Sequence, residues 1–277
     1  MSSTHDYVKD KRNNDVQVFV NGKFYHRSEA KISVMDSGYL LGDGVWEGIR
    51  LHKSKLIFIE KHLDRLFESA KGISLDIRLS KENIIHEINK VLRKNSMTDD
   101  VHIRLIISRG DKVTPYQNPN ANVGPINFVI IPEYKKTDPK TYKNGISIGR
   151  VPIIRPPNNI LSTHYNTLSK LNCILGSIEA NKLGFDEGIM NDMYGNISTC
   201  NSTNLFFINN EEVWTSKGKY CLNGITRGKA INICKENNII CLEKDFSFEE
   251  IENCDEAFVT GTFAGIIPVS RIENRTL

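Results

Sequence analysis

The feature that most restricts this chain is a hydrophobic periodicity that switches repeatedly between two residues and about 3.6. Gln17, Val18, Phe19 and Val20 read as a strand and run into Asn21-Gly22, a pair that closes two-residue hairpins. Over residues 62–73, Leu63, Leu66, Phe67 and Ala70 recur instead at helical spacing, and Ile84, Ile85, Ile88, Val91 and Leu92 do so one segment later. Strand patterns return at 101–107 and 126–131. The Pro- and Lys-rich stretch 132–143 carries neither period and reads as a linker.

Beyond it, 146–151 reads as a strand, Pro156-Pro157-Asn158-Asn159 as a breaker, and Leu171, Ile174, Leu175, Ile178 and Leu183 as a helix. A hairpin over 187–197 turns at Tyr194-Gly195-Asn196 and leads to strands at 204–208 and 213–216. A helix over 226–237, a strand at 239–243, a short helix opened by the capping-box pattern Ser247-x-x-Glu250 and a strand at 256–261 follow. This mixture predicts an α+β protein: a flexible tail over 1–16, a small N-terminal domain over 17–135, a linker over 136–144 and a larger C-terminal domain over 145–277.

Charge and composition exclude several classes. The net charge of +3, from 36 basic and 33 acidic side chains, is too small and too scattered to attract nucleic acid. No stretch approaches the roughly 20 apolar residues that cross a bilayer, and the first fifteen residues are polar and mixed in charge, so a cytoplasmic protein is expected. The six cysteines lie in the second half, without a C-x-x-C pair or a His at metal-ligand spacing, which predicts reduced thiols and no metal.

Three segments have the chemistry to hold an anion. Gly224-Ile225-Thr226 opens a helix, where unpaired N–H groups and the positive dipole end favour phosphate. Taken alone it is more often a simple N-cap. The turn Thr260-Gly261-Thr262-Phe263-Ala264-Gly265 follows a strand and forms either an anion-binding nest or a tight connection. Arg65, on the polar face of its helix, offers a forked donor or is simply solvated.

Taken in order, these pieces resemble the class IV aminotransferases, the pyridoxal-phosphate (PLP) enzymes that include branched-chain and D-amino acid aminotransferases and aminodeoxychorismate lyase. The resemblance runs from about Val18 to Ile272. It is carried by Val18–Gly22, by Gly42-Asp43-Gly44-Val45-Trp46-Glu47-Gly48-Ile49-Arg50, by the His62-Leu63-Asp64-Arg65-Leu66 helix, and by 198–206, 223–227 and 260–269. It implies fold type IV, with a small N-terminal α/β domain and a larger pseudo-barrel C-terminal one. It also implies a homodimer acting on a small amino acid and a 2-oxo acid. Arg65, Gly224, Ile225, Thr226 and Thr262 would bind the cofactor phosphate, with Thr199, Asn201 and Gly261 also lining the cofactor.

Two positions depart from the family at its chemical centre. Matching Ile178-Glu179-Ala180 to the family places Asn166 where the Schiff-base lysine belongs, and an amide cannot form an imine. Lys170, one helical turn later, is the candidate for that role. Thr199 stands where a glutamate usually pairs with the pyridine nitrogen, which predicts a weaker electron sink. On the substrate side, Arg104 and Arg109 are an odd number of residues apart along a strand pattern, so at most one faces a pocket. Trp46, Tyr39, Phe263 and Ala264 are the candidate side-chain contacts. Transamination is the leading expectation. A pyruvate-releasing lyase and a binding protein that has lost its chemistry are the alternatives.

Overall fold

The structure is a computed structural model that describes residues 4, 5 and 7–277. It divides into two compact units, one of Val8–Lys136 with Tyr165–Lys170, the other of Met1–Tyr7, Thr137–His164 and Leu171–Leu277.

The N-terminal unit is built on a six-stranded antiparallel sheet in the order Lys23–His26, Gln17–Val20, Asn127–Tyr134, Val101–Ser108, Gly44–His52, Lys55–Leu56. The alternation in Val101–Ser108 turns Val101, Ile103, Leu105 and Ile107 inward, all fully buried. Helices Ile59–Gly72 and Lys81–Lys94 close that face with Leu63, Leu66, Ala70, Ile84, Ile88 and Val91. A capping box between Ser80 and Asn83 starts the second helix.

The segment Tyr165–Lys170 belongs to this unit although both its neighbours in sequence belong to the other. It runs beside the start of Gly44–His52, where the Trp46 amide donates to the Asn166 carbonyl (3.0 Å) and the Leu168 amide to the Gly44 carbonyl (2.9 Å). Gly44 must be glycine there, because a Cβ would sit 2.6 Å from the Ile107 carbonyl oxygen. Gly72 serves the same segment, since a Cβ would enter the Tyr165 ring at 2.2 Å.

The C-terminal unit carries a mixed sheet in the order Ile197–Cys200, Glu187–Asn191, Ile146–Arg150, Gly265–Ile272, Glu256–Gly261, Asn204–Asn209, Glu212–Ser216, Cys241–Lys244. Its far edge curls back on its first strand. The Ser216 hydroxyl donates to the Ser198 carbonyl (2.8 Å) and the Ile197 amide to the Phe246 carbonyl (2.9 Å), giving a half-barrel around Ile146, Ile148, Ile189, Leu205, Phe207 and Val259.

Several expectations are corrected. Residues 1–3 and 6 of the expected flexible tail over 1–16 lie outside the described residues, but the remainder is tied down. Thr4 is buried against Glu187, His5 stacks on Phe263 (6.0 Å), and Asn13 exchanges hydrogen bonds of 2.8 Å with the Tyr134 backbone. The stretch 132–143, with the linker at 136–144, is largely regular. Strand Asn127–Tyr134 runs into it, and helix Pro139–Asn144 starts with Asp138 as N-cap and Pro139 in the first turn, where proline begins a helix rather than breaking one. Helix Leu171–Leu183 exists, but its apolar stripe faces outward: Leu171, Ile174, Leu175, Ile178 and Leu183 are exposed, and only Gly176 and Ala180 are buried.

Candidate active site

In the N-terminal unit the candidate residues gather around one carboxylate. Glu47, on strand Gly44–His52, is fully buried and accepts from Arg65 at both oxygens, Nε to Oε1 (2.8 Å) and Nη2 to Oε2 (2.7 Å). His62, one turn before Arg65 on the same helix, places Nδ1 2.7 Å from Oε2. Burial pushes the Glu47 carboxyl up, but the hydrogen bonds and charges of Arg65 and His62 outweigh it and hold the group below its ordinary value. An arginine held in this bidentate way presents its charge in a fixed direction.

Asn166 joins this cluster. Its backbone amide donates to the Ser69 hydroxyl (2.9 Å), and its side-chain Nδ2 donates to the Trp46 carbonyl (2.7 Å) and lies 3.4 Å from Glu47 Oε1. Trp46 holds the other candidates. Its indole N–H donates to the Thr167 carbonyl (3.1 Å), the Lys170 amine lies 5.6 Å from its ring centroid, and the Arg104 guanidinium stacks on the ring at 3.7 Å. Arg104 makes no hydrogen bond or ion pair among the described residues, and burial draws it below its ordinary value against the pull of Glu133 and Glu47.

Arg109 is not in this group. It lies just beyond strand Val101–Ser108 and commits its guanidinium to both oxygens of Asp43 (2.7 and 2.9 Å) and to the Ile73 and Ser74 carbonyls (2.8 Å each). Each guanidinium nitrogen of Arg109 thus has a partner within the N-terminal unit. Tyr39, the other aromatic candidate, is 73% exposed.

The C-terminal unit holds the remaining candidates. Helix Ile225–Glu236 starts at Gly224, which gives it no side-chain cap. A Cβ on Gly224 would stand 2.2 Å from Asn204 Oδ1, so a larger residue at this helix start would have to displace that amide. The second turn follows strand Glu256–Gly261. There Thr260 is buried and its hydroxyl has no partner among the described residues, Gly261 and Thr262 are half-buried, and Phe263 and Ala264 are buried.

Thr199 and Asn201 are also buried. The Thr199 hydroxyl donates to the Thr203 carbonyl (2.7 Å), while Asn201 Oδ1 accepts from the Gly188 amide (2.6 Å). Thr203 in turn donates to Glu187 (2.7 Å), so Glu187 is the carboxyl nearest to Thr199 by hydrogen-bond connection. Burial pushes Glu187 up, opposed by its bonds from Thr4, Thr203 and the Ser202 amide. Glu47, His62 and Glu187 are not singled out by the sequence patterns. The i, i+3 spacing of His62 and Arg65 on one helix face is the signal that points to a shared partner.

The amino-transferase class IV family matches residues 44–272, and the chain belongs to that family. It is 38% identical over 263 residues to branched-chain-amino-acid aminotransferase-like protein 2 of Arabidopsis thaliana, a match that covers 94% of this chain and 46% of that protein. The chain thus spans about half the length of that relative. It is 34% identical over 263 residues to a putative branched-chain-amino-acid aminotransferase of Methanocaldococcus jannaschii, covering 95% of this chain and 90% of that one. Its fold is that of the T.th. branched-chain amino acid aminotransferase solved with pyridoxamine 5′-phosphate, with a TM-score of 0.87 at 25% identity over 95% of this chain and 87% of the other.

Proposed function

We propose that the chain binds pyridoxal 5′-phosphate and transfers an amino group between an amino acid, of branched-chain or D-amino acid type, and a 2-oxo acid. The observation that carries this reading is the glycine-started, uncapped helix at Gly224, in the same unit as the partnerless buried hydroxyl of Thr260. A helix start of this kind is where a phosphate ester binds, and a buried hydroxyl without a partner calls for one. The T.th. structure holds pyridoxamine 5′-phosphate, the aminated form of the same group.

The backbone N–H groups of Ile225 and Thr226 and the hydroxyls of Thr226 and Thr262 bind the phosphate. In the N-terminal unit, Arg65, fixed by Glu47, is the cation suited to a phosphate. The bound group supplies an aldehyde for amine exchange and an electron-withdrawing ring. Lys170 would be the amine for such a group and, when free, the base for the substrate α-proton. Asn166, a neutral amide locked to Trp46 and Glu47, is neither. Arg104 receives the substrate carboxylate above Trp46, and at Thr199 a hydroxyl already donated to the Thr203 carbonyl stands in place of a carboxylate.

The six cysteines are free thiols, which suits the cytoplasm. Among the described residues no helix is long and apolar enough to cross a membrane. The outward stripe of helix Leu171–Leu183 supports a homodimer that covers it.

Absorbance spectroscopy tests the assignment. The protein mixed with PLP should absorb in the roughly 410–430 nm region, and the band should vanish on borohydride reduction and in Lys170→Ala. Failure to take up PLP refutes the function. A band that survives Lys170→Ala refutes the residue. A second reading, a binding protein without turnover, rests on Asn166 and Thr199, and is excluded by amino-group transfer that disappears in Lys170→Ala.

A further inference from the structure

Asn166 carries an oxygen with nothing to bind. The side chain is 1% exposed, and the orientation of its amide is set by its neighbours. The Trp46 carbonyl (2.7 Å) and Glu47 Oε1 (3.4 Å) both accept hydrogen bonds, so Nδ2 must face them and Oδ1 must point the other way. Oδ1 meets no donor among the described residues. A buried amide oxygen in this state calls for an outside donor. Its setting narrows the choice, because Nδ2 approaches the same carboxylate that holds the phosphate arginine, Arg65.

We infer that Asn166 is an acceptor for an amine on the bound cofactor, so that the site holds the aminated form, pyridoxamine 5′-phosphate, in preference to the aldehyde. This rests on the cofactor reading given above. The two forms share ring and phosphate and differ where the amine replaces the aldehyde oxygen. An amine brings N–H donors to Oδ1, whereas an aldehyde oxygen only accepts and would set two acceptors face to face. A lysine at position 166 would capture the aldehyde covalently. Asparagine removes that capture and rewards the opposite form. Lys170 keeps its role as the residue that exchanges protons and amine.

The test compares noncovalent affinities in Lys170→Ala, where covalent capture by that residue is absent. Equilibrium dialysis against pyridoxamine 5′-phosphate and against PLP should give a dissociation constant roughly tenfold lower for the amine, the worth of one hydrogen bond with charged character. Asn166→Leu in the same background should bring the two constants to within about twofold. Displacement of both forms by inorganic phosphate reports the phosphate end separately and confirms that the variant is folded. Equal affinities in Lys170→Ala, or a preference that survives Asn166→Leu, overturn the inference while leaving the cofactor reading intact. Failure of both forms to bind overturns the two together.

Discussion

Replacing Glu47 by glutamine isolates the buried charge that holds Arg65 and His62 in the N-terminal unit. The substitution keeps the volume but puts an N–H₂ group where the carboxylate accepted from Arg65 or His62. Removing one member of a buried ion pair costs about 3–5 kcal/mol. The Arg65 side chain is 13% exposed and recovers part of its hydration, whereas His62 is 1% exposed and does not, so a loss of roughly 3 kcal/mol is expected. For a unit of this size that corresponds to a fall of about 10 °C in the midpoint of its thermal transition. Calorimetry measures it, with Glu60→Gln as the control. Glu60 is exposed in the first turn of the same helix and should cost only a few tenths of a kcal/mol. A Glu47→Gln loss below about 1 kcal/mol would refute the view that this carboxylate holds Arg65 in place.

Glu187 should give a pH signature of opposite sign. Its folded value is raised, so its contribution to stability is complete below the usual carboxylate range and is lost as pH rises through the raised value. In urea unfolding, Glu187→Gln should therefore gain on the parent as pH rises above the usual carboxylate range, and a gap that does not change with pH contradicts the assignment. Charging the outward stripe with Ile174→Glu and Ile178→Glu should move the protein from dimer to monomer in sedimentation, with helix content unchanged. A parent that already sediments as a monomer removes the homodimer.

What could be read from the sequence follows from what periodicity reports. Leu63, Leu66 and Ala70, or Val101, Ile103 and Leu105, reveal their element because each must face a core that its own spacing defines. Leu171, Ile174 and Ile178 reveal a helix equally well, but spacing does not say what covers the stripe, and nothing among the described residues covers it enough to bury it. Gly224 and Thr226 were legible because a helix start is a local event. The Glu47 cluster was not, since its partners lie 15 and 18 residues away on another element and only packing brings them together. The early segment escaped for a similar reason. Asn13 is fastened by an amide to a backbone 121 residues distant, a contact with no apolar signature.

The separation of Tyr165–Lys170 from the rest of its unit also bears on synthesis. The unit's main body ends at Lys136, and the strap that lies along Gly44–Trp46 emerges only as residue 170 is added, 34 residues later. At about 5–20 residues per second the nascent unit waits some 2–7 s with that edge of its strand unpaired. A ribosome that pauses within this interval holds a sheet with its hydrophobic layer in place and the Gly44–Trp46 edge open, a stage at which chaperones or a stray strand can engage it.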